Sequence, residues 1–229
     1  MGLDLEVGIL ADLKSADPEG YADFTAMFSA VNELLGNSNL PDHLEPTECD
    51  VWSGEMVGYS GLHYLRRLAA RLDAGESLPE PGARGNSSNR ILDAYFNAYL
   101  GKESGFLSRR FRKWWQFDRQ FDHLIIHSDA EGFYLPSDFP DVLVGTDNTV
   151  PGGMVGSAPR LLEELERLAS VLEIPNELHS QSDELWDAAD SQGEGEFPWE
   201  QYGIESYSCV VLREGCRECL RIGAALVFC

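Results

Sequence analysis

The chain of 229 residues is 43% hydrophobic and 10% aromatic, with a formal net charge of −22. That apolar content supplies a core for one large domain and excludes wholesale disorder, and no apolar run reaches the ~20 residues that span a bilayer. The charge argues against binding nucleic acid or an anionic membrane, because phosphates would be repelled, and it admits a basic protein partner.

The opening GLDLEVGIL alternates Leu3, Leu5 and Val7 with Asp4 and Glu6, the period of a strand. MGLDLEVGILADLK lacks a basic leading region, which predicts no signal peptide. Asp17-Pro18-Glu19 starts a helix, with Asp as cap and Pro in the first turn. Phe24, Met27, Phe28, Val31, Leu34 and Leu35 follow at helical spacing, and Gly36-Asn37 ends it. Residues 38–58 read as loop with a short strand, and Ser60 caps a helix to Leu72. Residues 75–90, rich in Gly, Pro, Ser and Asn, form a surface loop. Ile91–Leu100 is a shorter helix, and the basic-aromatic stretch 106–120 is a further one.

FDHLIIHSDAEGFYLP, residues 121–136, reads as strand, turn, strand. The Ile pair favours extended backbone, and Asp129–Gly132 suits the turn. On such a strand His123 and His127 share a face about 13 Å apart and cannot ligate one metal together. Gly145–Gly156 is a loop, and Ser157 caps a helix carrying Leu161, Leu165, Leu168 and Leu172. Residues 173–203 are acidic and irregular. Glu205–Ile222 is the last helix and Ala224–Phe228 the closing strand. Intermixed strands and helices predict a single α+β (or mixed α/β) domain over 1–229, its central sheet flanked by helices.

Charge is segregated along the chain. Residues 1–65 hold twelve acids and one base, Lys14; residues 66–167 hold fifteen acids and thirteen bases; residues 168–212 hold ten acids and no base. The odd count of five cysteines, with no second CxxC beside Cys216-x-x-Cys219, predicts core thiols in a reducing cytoplasm rather than disulfides or zinc. No cofactor is expected.

Three functional readings follow. The first is a non-catalytic protein-interaction module that docks its acidic surface on a basic partner, with Trp186 and Trp199 as aromatic anchors. The second is a small metal-dependent or acid–base hydrolase centred on His127, Asp129 and Glu131, which a turn can bring together; His43 and Glu45 form another possible ligand pair. The third is an anionic-ligand sensing domain using His63, Arg66, Arg67 and Tyr134, with the glycine-rich 145–157 loop before a helix.

Four blocks, YSGLHYLRRLAARL, FDHLIIHSDAEGFYLP, VGSAPRLLEELERL and GAALVFC, are similar to a group of uncharacterised bacterial proteins. Some of these resemble immunity or toxin-associated proteins encoded beside polymorphic toxins. The resemblance implies a bacterial cytoplasmic protein that works by binding, and carries over no catalytic residue.

Overall fold

The computed structural model describes residues 3–56, 58–82, 89–99, 117–128, 130–145, 150–191 and 193–228. Along the chain run β1 (Asp4–Val7), α1 (Ile9–Ala16), α2 (Pro18–Asn37), β2 (Trp52–Glu55), α3 (Gly58–Asp73) and α4 (Asn89–Tyr99). Then come α5 (Asp122–Ile125), β3 (Gly132–Leu135), β4 (Leu143–Val144), β5 (Met154–Ser157), α6 (Ala158–Val171), α7 (Asp183–Asp190), α8 (Pro198–Gln201), α9 (Gly203–Ile222) and β6 (Leu226–Phe228). The strands form one sheet in the order β2-β1-β6-β3-β5-β4, antiparallel except for the parallel β3–β5 pair. This is a single α+β domain.

The sheet separates two apolar clusters. Alternate residues of a strand face opposite sides, so Tyr134, Leu226 and Phe228 join one cluster while Phe133, Leu135 and Val227 join the other. On the first side lie α3, α5, α6, α7 and α9, with α9 packed against α3, α6 and α7. On the second side Ile9 and Leu10 of α1 and Phe28, Val31 and Leu35 of α2 cover the sheet.

Local signals hold where the chemistry is local. The Asp17 side chain accepts the Glu19 and Gly20 N–H groups, and Ser157 accepts the Arg160 N–H. Elsewhere tertiary packing overrides the pattern. The opening strand stops at Val7, because Ile9 and Leu10 turn to the second cluster as the start of a helix. The 145–156 stretch ends in strand β5. Residues 173–203 are not irregular throughout: Leu185, Ala188 and Ala189 give α7 a buried face, and α8 follows. The helix expected over 106–120 falls mostly outside the described residues, and 117–120 precede α5 without helix.

The largest correction concerns 121–127. His123 lies on a short helix, α5, not a strand, and every residue from Phe121 to His127 is buried. The apparent alternation carried no face information because both faces are covered. Glu164 of α6 holds the helix: Oε1 accepts the His123 N–H at 2.9 Å and Oε2 the Leu124 N–H at 2.7 Å. These are orphan donors that a four-residue helix cannot satisfy itself.

Candidate functional site

Of the residues expected to make a hydrolase, His127 lies in the core and Glu131 at the surface. His127 is 2% exposed, its ring stacked on Tyr134 at 4.1 Å, with Nδ1 facing Ser128 O and Nε2 facing Phe133 O. Burial, then the Arg66 guanidinium, pushes its pKa down to about 3. The ring is therefore neutral, packed and closed to water. It also fills the place where a Cβ on Gly132 would sit, 2.6 Å from Cε1, which is why a glycine with φ 135° opens β3. Glu131 is exposed, and Asp129 lies outside the described residues. Among the described residues no group of three His, Cys, Asp or Glu side chains is placed to hold a metal.

Arg66 is turned inward. Its Nε donates to Leu124 O at 2.7 Å and Nη2 to Ser128 O at 3.0 Å, while the Tyr134 hydroxyl donates to His123 O at 2.8 Å. A fully buried guanidinium thus ties α3 to the end of α5, and burial lowers its pKa to about 10. His123 is wired the same way: Nδ1 accepts the Ser157 N–H, which leaves Nε2–H to donate to Pro140 O. Arg67 is also buried, its guanidinium 5.1 Å from the Tyr64 ring centroid, and His63 is half-buried. Arg66 and Tyr134 are therefore core polar groups, and the anion-clamp arrangement on α3 does not form around them.

The His43–Glu45 pair is structural in its contacts. His43 Nε2 lies 2.6 Å from Glu45 Oε2, which also accepts the Ala225 N–H, while Asn32 brackets the His43 backbone. These bonds pin the 38–51 loop to α2 and to the residue before β6. Cys209, Cys216 and Cys219 are buried free thiols, and burial pushes Cys209 and Cys219 up to about 12. Trp199 is a core residue at 9% exposure, not a surface anchor; Trp186, 40% exposed and 4.4 Å from the Tyr207 ring, does reach the surface.

What the structure adds is the difference between paired and unpaired acids. Glu48 pairs with Lys14, Asp50 and Glu218 with Arg221, Asp138 with Arg160, Asp122 with Arg119, and Glu166 with Arg213 and Arg217. Among the described residues no ion pair reaches Asp183, Glu184, Asp187 or Asp190 of α7, or Glu194 and Glu196 after it, and all six are exposed. At 1.5 Å rise per residue the four acids of α7 are separated along the axis by about 1.5, 4.5 and 4.5 Å, a mean of about 3.5 Å. One strand of duplex DNA carries a charge every ~3.4 Å. The exposed acids of α2 (Glu19, Asp23 and Glu33) are far sparser along a helix of 20 residues. Sequence reading located the acid-rich stretch but not this distinction, which depends on where the arginines fold.

No curated protein and no solved structure matches the chain. The likeness of the four sequence blocks to immunity and toxin-associated proteins finds no support in these comparisons. A family model does match residues 1–228, and the chain belongs to that family, described as "Putative DNA-mimic protein".

Proposed function

We propose that this protein is a non-catalytic DNA mimic whose α7–α8 face occupies the basic DNA-binding surface of a protein partner. The observation that carries the reading is the group of four acids on α7 that no ion pair among the described residues reaches, with a mean axial charge density close to that of the phosphates of one strand. Acids already matched by arginines add little outward field; acids left unmatched project it. Trp186 and Phe197 (40% and 49% exposed) lie in the same acidic segment and supply apolar area for a bound state, while the charges speed encounter. The partner is basic because it reads DNA, and the mimic's own charge opposes binding to nucleic acid itself.

The test is displacement. A partner captured on the immobilised protein is expected to be released by short duplex DNA and to lose its own DNA binding when the protein is added. A captured partner that holds DNA and this protein at the same time would rule the reading out.

A further inference from the structure

A cleft of about 270 Å³ opens between the start of α5 and the outer face of α6, lined by Arg119, Asp122, His123, Arg160, Glu163, Glu164 and Arg167 among others. Three arginines around one cleft stand out in a chain of net charge −22. Residues 160, 163, 164 and 167 fall at i, i+3, i+4 and i+7 of α6, so the helix presents all four on one side.

The guanidiniums are held unevenly. Asp138 takes Arg160 through Nε at 2.6 Å and Nη2 at 3.1 Å, leaving Nη1 3.6 Å from Glu163 Oε2. Arg167 gives Nη1 to Gln120 O, and its Nη2 stands 4.0 Å from the same Glu163 oxygen. Glu163 is thus a loose counter-ion between two guanidiniums, beyond hydrogen-bond length of either and 58% exposed. Below it, burial pushes the Glu164 pKa well up, which favours its neutral form. Asp122 and, at 3.7 Å, Asp141 face Arg119, so Arg167 is the guanidinium of the three with no close carboxylate partner among the described residues.

Arg119 is placed deliberately. Its backbone is left-handed, φ 60°, a conformation held by the buried Asp73, whose carboxylate accepts the Arg119 and Gln120 N–H groups at 3.0 and 2.9 Å. Its guanidinium lies 4.8 Å from the Tyr99 ring centroid and bonds Asp122. Strain of this kind persists only where surrounding structure enforces it.

We propose that this cleft binds a small phosphate-bearing anion, with Arg160 and Arg167 as its ligands, Arg119 at its rim and Glu163 as the group it displaces. Guanidinium forks match phosphate oxygens bidentately, and the cleft has room for a phosphate or a small phosphate monoester. The site is separate from the α7–α8 face and stands or falls without it.

Calorimetric titration at constant ionic strength, with chloride as background, tests the assignment using inorganic phosphate and glycerol phosphate. Saturable binding with Kd of about 1 mM or tighter is expected. Arg167→Gln should weaken it about ten-fold, and Glu163→Gln, which removes the competing carboxylate, should tighten it several-fold. Tighter binding of glycerol phosphate would identify an organic phosphate as the ligand; equal binding would identify free phosphate. No saturation by either compound, in the native protein and in Glu163→Gln, would overturn the proposal. So would identical affinities in all three proteins, and because Glu163 is exposed that variant reports even if Arg167→Gln is unstable.

Discussion

His127 shows how far a single side chain's role depends on its surroundings. In sequence it stands with Asp129 and Glu131 and suggests chemistry; in the fold it is a flat, neutral spacer between Tyr134 and the Gly132 backbone. Its depressed pKa makes a signed prediction. An unfolded histidine binds a proton near pH 6.5, while the buried ring resists protonation until about 3. Below pH 6.5 the unfolded state therefore holds more protons, and stability falls as pH drops. The loss approaches about 1.4 kcal/mol per pH unit for this one group. Glu6 acts in the opposite sense: burial lifts its carboxyl to about 7, so its contribution improves as pH falls from there towards 4.5. Comparing urea unfolding of the native protein and His127→Phe cancels the Glu6 contribution. The stability difference is expected to shift against the native protein between pH 7 and 5, and a flat difference would show that the folded ring takes up protons freely.

Elements whose ends depend on neighbouring residues were legible; those completed from a distance were not. Asp17 and Ser157 announce helix starts because each cap bonds N–H groups two or three residues on. Helix α5 has no such announcement, since its cap is Glu164, about forty residues later, and Arg66 reaches its carbonyl partners across some sixty. Helix α7 was missed because an eight-residue helix with only Leu185, Ala188 and Ala189 buried has too narrow an apolar stripe to read in so acidic a stretch. Its seat on α9 is tight. A Cβ on Gly203 would overlap the carbonyl of Ala188, so Gly203→Ala should push the two helices apart and cost about 2 kcal/mol or more. Thermal unfolding would show it as a lowered midpoint. An unchanged midpoint would mean that α7 is not held against α9 in this way.

At the scale of the molecule the acids divide the labour. Glu48, Asp50, Glu166 and Glu218 are matched by lysine or arginine and serve the fold; among the described residues no ion pair reaches the four acids of α7 or Glu194 and Glu196 after it. The totals announced a strongly acidic molecule, but not which acids stay unpaired, because pairing brings residues such as Asp50 and Arg221 together from opposite ends of the chain. An unmatched row repels itself in the free protein. The melting temperature should therefore rise as sodium chloride goes from low to physiological concentration, where the Debye length shrinks to about 8 Å. A melting temperature that falls with salt would mean that ion pairs, rather than repulsion, dominate.

The most direct measurement compares two variants that lose the same four charges from different places. One carries Asp183→Asn, Glu184→Gln, Asp187→Asn and Asp190→Asn on α7. The other carries Glu48→Gln, Asp50→Asn, Asp138→Asn and Glu218→Gln, all acids paired in the fold. Affinity for the DNA-displaceable partner is measured for both beside the native protein. DNA mimicry by α7 predicts that the first variant loses binding by at least about ten-fold, with slower association, while the second binds nearly as the native protein does. Equal losses in the two would mean that net charge alone draws the partner, and the assignment of the α7 face would be wrong.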